Sequence, residues 1–337
     1  MKSTKLIALL ITTSISFSAI SQKKDGESLD SLSFFSVSPF LETSPVISPE
    51  DAADDICIWV SDDPQKPIYI VGTDKKRGLE TYNEKGLRIF DSPFGRINNV
   101  DLWDSPIGPI VAGTNRSYNS LDFYKLQSDG SLILLNRYPT GLQDVYGISF
   151  YKGPLSTEVF LSDKKGVVKR YNIKLIDQFV SINLLDQFKF SSTVEGIEGD
   201  AYYERVYIAE EDKGLWYIDL REQTNKRTKV LKTDKTHLIA DLEGLALADL
   251  GNGEGYLFLS VQGNNTYAIV NRKTLKFEAS FKIDANSQID GAQETDGLEV
   301  STHQRFQVLI VQDGHNDGET QNFKIIDLKN ILDHIKQ

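Results

Sequence analysis

Cysteine and methionine are nearly absent from this chain of 337 residues, which contains one of each. The single thiol, Cys57, cannot form an internal disulfide, so core packing rather than a covalent cross-link must stabilise the fold. Cys57 lies in an alternating apolar stretch, which predicts a packed core side chain rather than a nucleophile. No apolar run is long enough to predict a membrane-spanning helix.

Histidine is also scarce, with four residues. None stands in an Arg-His-Gly or His-Glu-x-x-His setting and no Gly-x-Ser-x-Gly sequence occurs, which excludes a histidine phosphatase, a zincin and a hydrolase with a serine elbow. Positive charge is outnumbered, because 37 Lys and Arg residues oppose 48 Asp and Glu residues and give a formal net charge of −11. Such a chain repels nucleic acid and anionic lipid, and it suits a protein that binds cations.

Residues 1–21 have the pattern of a secretory signal peptide. Lys2 and Lys5 precede an apolar region, and Ala19-Ile20-Ser21 is a small-x-small cleavage site. Loss of the two lysines would change the formal net charge from −11 to −13. We therefore expect a secreted or periplasmic protein, with a flexible segment over residues 22–33 and a single domain over residues 34–337.

The rest of the chain contains six similar apolar runs, each ending in a polar turn. They begin at Ile68, Ile110, Val159, Val206, Tyr256 and Val308. A spacing of about 40 to 50 residues is typical of β-propeller blades. We predict an all-β, six-bladed β-propeller, in which residues 34–43 form an outer strand that closes the ring on the last blade. A short helix is predicted near Ile331.

A strand is also predicted before each apolar run, and each of these strands opens on polar or acidic residues. The openings are Asp54-Asp55, Asn98-Asn99, Asp144-Val145-Tyr146, Glu195, Asp241-Leu242-Glu243 and Asp296. In an antiparallel blade the first strand starts where the second ends, so the openings and the polar turns should converge on one end of the central channel. A single polar strand end is ordinary, whereas twelve on one rim indicate a functional site.

The expected rim offers carboxylates, amides and cations rather than nucleophiles. Oxygens of Asp, Glu and Asn in this number suit Ca²⁺, which accepts many flexible oxygen ligands. Cations stand among them, at Lys75, Lys76, Arg77, Arg96, Arg116, Lys164 and Lys165. Each cation alone would be an ordinary solvated side chain. Together with bound metal they describe a receptor for phosphate groups.

In these residues the chain resembles the β-propeller (alkaline) phytases, calcium-dependent phosphatases of the 3-phytase type that act on inositol hexakisphosphate. The resemblance extends from about Asp54 to Ile326. Its motifs include Asp54-Asp55-x-x-Ile-Trp, Gly72-Thr-Asp-Lys-Lys-x-Gly-Leu, Arg96-Ile-Asn-Asn-Val-Asp, Asp241-Leu-Glu-Gly-Leu and Gln262-Gly-Asn-Asn-x-Tyr. The family has a six-bladed propeller, in agreement with the repeat count.

The resemblance implies several calcium ions and a set of site residues. Its metal ligands would be Asp54, Asp55, Asp101, Glu195, Asp241, Glu243, Asp296 and Asn322. Substrate phosphate would contact Lys76, Arg116, Tyr146 and Lys164, with Lys75 as a further candidate. A metal-activated water would attack the phosphorus atom, and the catalytic candidates are Glu195, Asp241, Glu243 and Tyr146.

Two residues depart from the family pattern. Ile56 replaces the proline that usually follows the Asp-Asp pair, and Lys165 replaces an acid that often follows the phosphate-binding lysine. Two alternative functions also remain open. One is a calcium-dependent propeller phosphodiesterase or lactonase, which needs fewer cations, and the other is a secreted binding propeller with structural calcium. For the phytase we expect a monomer acting on a small molecule, without nucleic acid or membrane partners.

Overall fold

Strands dominate the computed structural model, which describes residues 33–222, 224 and 226–335. The expected signal peptide and almost all of the segment 22–33 lie outside these residues, so both remain predictions. Among the described residues, no helix has the length and apolar character needed to cross a bilayer.

The chain begins with two short strands, β1 (Ser33–Val37) and β2 (Leu41–Glu42). Blade one then contains β3 (Ala53–Trp59), β4 (Tyr69–Asp74), β5 (Gly78–Asn83) and β6 (Arg88–Ser92). Blade two contains β7 (Ile97–Ser105), β8 (Gly108–Asn115), β9 (Ser120–Leu126) and β10 (Leu132–Pro139). Blade three contains β11 (Val145–Lys152), β12 (Thr157–Asp163), β13 (Val167–Ile176) and β14 (Phe179–Lys189).

Blade four contains β15 (Val194–Asp200), β16 (Arg205–Glu210), β17 (Gly214–Asp219) and β18 (Arg227–Lys232). Blade five contains β19 (Leu242–Gly251), β20 (Glu254–Val261), β21 (Thr266–Asn271) and β22 (Phe277–Ile283), with a short 3₁₀ helix at Gln262–Asn264. Blade six contains β23 (Leu298–His303), β24 (Phe306–Asp313) and β25 (Asn322–Asp327), and α1 (Leu328–Ile335) follows.

The first strands of the blades form the inner wall of a ring. Within each blade the consecutive strands pair antiparallel, and the inner strands β3, β7, β11, β15, β19 and β23 pack one against the next, with β23 returning to β3. The predicted six-bladed propeller is confirmed, and the six apolar runs supply the second strand of each blade. The predicted C-terminal helix is confirmed as α1.

The ring closes in a way that the sequence predicted only in part. β2 pairs antiparallel with β25 and completes blade six, as expected for Leu41–Glu42. β1 instead pairs parallel with β22 and adds a fifth strand to blade five. The expected single outer strand is therefore two strands. Pro39, which has no backbone N–H to donate, lies in the link where the chain passes between the blades.

Apolar side chains fill the space between neighbouring blades. One buried cluster between blades one and two contains Cys57, Val71, Val100, Val111 and Tyr124. Cys57 is buried as predicted, and burial raises the pKa of its thiol. Because this core holds the blades in register around the channel, it fixes the spacing of the inner strands.

Five inner strands share a β-bulge near their first residue. Their pairing with the second strand skips two residues in each blade: Asp54-Asp55, Asn98-Asn99, Tyr146-Gly147, Glu195-Gly196 and Glu243-Gly244. A bulge leaves the extra residue unpaired and redirects its side chain. In blade six, Asp296-Gly297 stand just before β23. The bulges therefore place one polar side chain of each blade at the mouth of the channel.

Two of the bulge glycines are required by close contact between neighbouring inner strands. A Cβ on Gly147 would lie 1.9 Å from the carbonyl oxygen of Glu195, and one on Gly196 would lie 2.2 Å from that of Glu243. Because these distances exclude any side chain, the inner strands can approach only with glycine there, and the polar residues before the glycines are drawn together.

Candidate active site

Two concentric rings of polar side chains surround this end of the channel. The inner ring consists of the first bulge residues and their counterpart in blade six: Asp54, Asn98, Tyr146, Glu195, Glu243 and Asp296. The outer ring consists of the first residue after the second strand of blades one to five: Lys75, Arg116, Lys164, Glu211 and Gln262. The backbone N–H of each outer-ring residue donates to a carbonyl just before the inner strand of its blade, at 2.7 to 3.3 Å. The outer-ring positions are therefore equivalent by geometry.

Charge is divided unequally around the outer ring. Blades one, two and three contribute Lys75, Arg116 and Lys164, whereas blades four and five contribute Glu211 and Gln262. A cleft of about 510 Å³ opens between the two sides and is lined by residues of both. A ligand in this cleft would meet cations on one side and carboxylates on the other.

Glu195, Glu211 and Glu243 form an acidic cluster at the rim, and Glu243 also lines the cleft. One carboxylate oxygen from each lies within 4.8 Å of the other two. The Oε2 atoms of Glu195 and Glu243 are buried without a hydrogen-bond partner in the described part of the chain. A buried carboxylate oxygen with no donor is costly, and two such oxygens together with the half-buried Glu211 carboxylate, all within reach of one ion, fit a hard divalent cation.

The pKa values of these carboxyl groups reflect their mutual repulsion and burial. Burial, reinforced by Asp54 and Glu243, raises the pKa of Glu195 well above its ordinary range. Burial raises the pKa of Glu243 to about 8, and burial together with Asp241 raises the pKa of Glu211 to about 7. Without a cation the acidic cluster retains protons near neutral pH, and a bound cation would displace them.

Two asparagines hold Glu195 in place. Asn99 Nδ2 donates to Glu195 Oε1 at 3.1 Å, and Asn98 Nδ2 lies 3.4 Å from the same oxygen. Asn98 Nδ2 also donates to Asp54 Oδ2 at 2.7 Å. One oxygen of Glu195 is therefore fixed by amides, whereas Oε2 has no partner among the described residues.

Lys75 connects the cationic side to the carboxylates. Its Nζ lies 2.7 Å from Asp51, 2.9 Å from Asp54 and 3.4 Å from Asp296. Burial alone would lower the pKa of Lys75, but Asp54 and Asp296 raise it overall, so the ammonium stays charged. Gln262 Nε2 donates to Asp296 at 2.5 Å and fixes that carboxyl group.

Arg116, Lys164 and Tyr146 complete the cationic side. Arg116 Nε donates to Asp144 at 2.8 Å, and its Nη1 donates to Asn98 Oδ1 at 3.0 Å. The Lys164 ammonium lies 4.4 Å from the centre of the Tyr146 ring. Burial and the nearby Glu195 raise the pKa of Tyr146, so its phenol stays protonated and acts as a hydrogen-bond donor rather than as a base.

The position of Lys76 differs from the expected one. Its Nζ donates to the carbonyl of Pro49 at 2.6 Å and lies 3.1 Å from Glu50, outside the cleft. Only the first residue after β4 occupies the outer ring, and the next side chain points to the outer surface. Lys76 therefore does not line the cleft, whereas Lys75 does, and the contact of either lysine with substrate phosphate stays a prediction.

Asp55 and Asp101 lie deeper in the channel than expected. Asp55 is the second residue of the bulge in blade one. It accepts a hydrogen bond from Val100 N at 3.0 Å, and burial raises its pKa to about 8. Asp101 lines a separate cavity of about 300 Å³ with Glu198 and Glu299. At about 3.3 Å per strand residue, Asp101 is roughly 10 Å further along β7 than Asn98. The expectation that Asp101 joins the rim is therefore corrected.

Asn322 also lies away from the rim. It stands at the start of β25, the third strand of blade six, and donates to Glu42 at 2.9 Å. With Asp290 and Asn316 it lines an outer crevice. Because third strands do not face the channel, Asn322 does not join the rim carboxylates. Its role as a metal ligand stays a prediction, and its position places it outside the rim site.

The remaining expected site residues meet at the rim. Asp54, Glu195, Glu243 and Asp296 lie in the inner ring, and Asp241 lies half-buried beside it with a pKa raised by burial and by Asp212. Their roles in metal binding and catalysis stay predictions. Glu211 had not been singled out. Alignment of the first residue after each second strand would have revealed it, because this position also gives Lys75, Arg116 and Lys164.

Comparison with known proteins adds three findings. A family model described as Phytase matches residues 2–337. The 3-phytase of Bacillus subtilis (strain 168) is 33% identical over 329 residues, which cover 89% of this chain and 86% of that protein. A chain from the crystal structure of a nidogen/laminin complex superposes with a TM-score of 0.50 at 13% identity, over 73% of this chain and 84% of that one. The last likeness concerns the fold alone.

Proposed function

The chain belongs to the phytase family, and we propose that it hydrolyses the phosphomonoesters of phytate, myo-inositol hexakisphosphate, in a calcium-dependent reaction. Phosphate and lower inositol phosphates are the products. One observation supports the calcium dependence: Glu195, Glu211 and Glu243 bring carboxylate oxygens within 4.8 Å of one another, and the Oε2 atoms of Glu195 and Glu243 are buried without a partner among the described residues.

The residues at the rim fit the ion that the proposal requires. Calcium would be held by Glu195, Glu211 and Glu243, with Asp54, Asp241 and Asp296 close by. Bound there, it would neutralise charge on the phosphate oxygens and make water a better nucleophile. Every candidate ligand is a carboxylate oxygen, the type of donor that calcium prefers.

The protein's own side chains account for binding and orientation of the substrate. Lys75 and Lys164 line the cleft, and Arg116 holds the equivalent outer-ring position on the blade between them. Phosphate oxygens would accept hydrogen bonds from these cations. The Tyr146 phenol stays protonated and can donate to a phosphate oxygen. Three fixed donors and a fixed phenol position the ester without rearrangement, which is the main contribution that a protein makes to phosphoryl transfer.

The three cations belong to three different blades, and their spread exceeds what one phosphate needs. We infer two neighbouring subsites, one for the reacting phosphate and one for a second phosphate of the same ring. Binding of the second phosphate helps to orient the first, and it favours polyphosphorylated rings over simple monoesters.

The test is release of inorganic phosphate from phytate by the purified protein, with calcium and with an excess of chelator. We expect release only with calcium, and a loss of about a hundredfold or more in Glu243→Gln. Glu84→Gln removes an exposed carboxylate in a β5–β6 turn away from the channel and serves as the matched control. Undiminished release in chelator would contradict the calcium dependence, and no release under any condition would contradict the function.

The two alternative functions are not favoured. A phosphodiesterase or lactonase would not need three cations from three blades, and a binding propeller would not need a partly protonated carboxyl centre aimed into the cleft. Both the matching family model and the Bacillus subtilis relative are phytases.

We also propose that the protein is exported and acts as a monomer. Support for export comes from the signal-peptide pattern at residues 1–21. N-terminal sequencing of the exported protein should begin at Gln22, and gel filtration should give the mass of one chain. An intact N-terminus on cytoplasmic protein would contradict export.

A further inference from the structure

Positive charge continues outward from the cleft along the border of blades three and four. We name Lys165, Lys189 and Arg227 the basic strip. The Lys189 ammonium donates to the carbonyl of Lys165, and Arg227 Nη1 donates to the carbonyl of Lys189. Lys164 lines the cleft, and the loop that follows Lys189 runs beside the turn that carries Lys164: Phe190 N donates to the carbonyl of Gly166 at 2.7 Å, and Thr193 Oγ1 donates to that of Lys164 at 3.3 Å. The strip therefore begins beside this turn, on the outer side of the cleft.

The basic strip keeps its charge free of carboxylate partners. Lys165 Nζ donates to Gln143 Oε1 at 2.5 Å, and the other two side chains use backbone carbonyls. Within the described ranges, no carboxylate oxygen lies within the 4.0 Å of a salt bridge from any of the three cations. Arg77, by contrast, is paired with Asp91. All three strip residues are exposed, so they can accept an anionic ligand without first breaking an ion pair.

A small notch lies between Lys189 and Arg227. Its volume is about 230 Å³, and Phe190 and Trp216 form its apolar walls. The Arg227 guanidinium lies 4.9 Å from the centre of the Phe190 ring, which holds its planar fork in place. Water takes up about 30 Å³ per molecule in the liquid, so the notch is large enough for a phosphate group.

One carboxylate, Glu210, also lines the notch, and it already accepts hydrogen bonds from a neighbouring loop. Burial acts to raise the pKa of Glu210, yet hydrogen bonds from Ser191 lower it overall. Glu210 Oε1 accepts from Ser191 N at 2.7 Å, from Ser191 Oγ at 2.6 Å and from Ser192 N at 3.0 Å. These donors direct the carboxylate toward the serine loop and compensate part of its charge.

We propose that the basic strip is a further phosphate-binding subsite of the same enzyme, which holds phosphate groups of an inositol polyphosphate that the cleft does not contact. The inference rests on the proposed function. Phytate carries six phosphates, more than three cleft cations can pair, and its outer phosphates need a surface that does not repel them. On a chain with a formal net charge of −11, an unpaired run of cations beside the cleft provides that surface.

The experiment compares the double variant Lys165→Ala/Lys189→Ala and the single variant Arg227→Ala with the control Lys174→Ala. Lys174 is an exposed lysine at the other end of blade three, on β13. For calcium-phytate at low ionic strength we expect KM to rise about tenfold in the strip variants with kcat unchanged. For p-nitrophenyl phosphate we expect no change in either constant, because a monoester cannot reach the strip from the cleft.

A binding measurement without turnover separates the inference from the proposed function. Calorimetry with myo-inositol hexakissulfate and calcium should give an affinity about tenfold weaker in the strip variants than in the wild type and in Lys174→Ala. Equal affinities in all four proteins would overturn the inference, whether or not the wild type hydrolyses phytate. Inorganic phosphate is the second ligand, and if it bound the strip as tightly as the hexakissulfate, the strip would be a free-anion site and the inference would be wrong. Thermal melts confirm that each variant is folded.

Discussion

Replacing Glu243 by glutamine keeps the shape of the side chain and removes one carboxylate from the crowded centre of the cleft. In the metal-free protein, burial raises the pKa of this group from 4.5 to about 8. The folded state therefore holds a proton that the unfolded state has lost, and stability falls as pH rises through this window. This loss of stability is absent below the unfolded-state pKa of 4.5 and complete above the folded-state pKa of about 8.

The size of the penalty follows from the same two pKa values. At about 1.4 kcal/mol per pH unit, the window corresponds to roughly 5 kcal/mol in the free energy of unfolding above about pH 8. A domain of roughly 300 residues has an unfolding entropy of about 0.6 kcal/mol/K, so the full penalty lowers Tm by roughly 8 °C. Glu195 remains in the variant and still repels its neighbours, so the measured difference should be smaller than this upper value.

The assay is a series of thermal melts in chelator from about pH 5 to about pH 9, the range over which the linkage acts. Glu243→Gln should match the wild type at the acidic end and melt several degrees higher at the alkaline end. With calcium the order should reverse, because a ligand that binds only the folded protein stabilises it by mass action and the variant lacks one ligand. A Tm difference that did not change with pH, or a wild type that was the more stable protein in alkaline chelator, would refute the reasoning.

Three further predictions concern the cleft. Lys75→Ala should raise KM for phytate about tenfold or more, the equivalent of one charge-assisted contact, while Lys76→Ala should leave both kcat and KM unchanged. Steady-state kinetics of the two variants checks both expectations. A raised KM in Lys76→Ala with an unchanged KM in Lys75→Ala would place Lys76, not Lys75, beside the substrate. Tyr146→Phe should lower kcat about tenfold without moving the alkaline limb of the kcat–pH profile, since the phenol acts as a hydrogen-bond donor. A shifted alkaline limb would show that the Tyr146 phenol titrates in this range. The kcat/KM for phytate should exceed that for p-nitrophenyl phosphate, and hydrolysis should stall at a partly dephosphorylated ring once no neighbouring phosphates remain. Complete conversion to inositol, measured by ion chromatography, would exclude the second subsite.

Much of the fold was predictable because propeller blades repeat. The six apolar runs became the second strands, and the acidic openings before them became the starts of the inner strands. The path of residues 33–42 was predicted only in part. Nothing in the alternation of Phe34-Phe35-Ser36-Val37 distinguishes a parallel partner in blade five from an antiparallel one in blade six.

The site was less predictable because its geometry depends on bulges. A bulge shifts the alternation of side chains by one residue, so strict period-two counting cannot tell that Asp54 faces the mouth of the channel while Asp55 points deeper. The turn after β4 has a similar ambiguity between Lys75 and Lys76, since both are lysines and only the backbone hydrogen bond from Lys75 N to Ala52 identifies the residue in the outer ring. Glu211 was missed for the same reason, because its role follows from equivalence to Lys75 rather than from its own sequence context.

In the proposed reaction, the partnerless oxygens of Glu195 and Glu243 hold a cation that presents phosphate to Lys75, Arg116 and Lys164. The most direct measurement is a crystal structure with calcium and myo-inositol hexakissulfate, using anomalous scattering to locate the metal. We expect a calcium peak within coordinating distance of Glu195 Oε2 and Glu243 Oε2, with sulfate oxygens in contact with the three cations. A cleft in which the hexakissulfate binds without a metal peak between these carboxylates would contradict it.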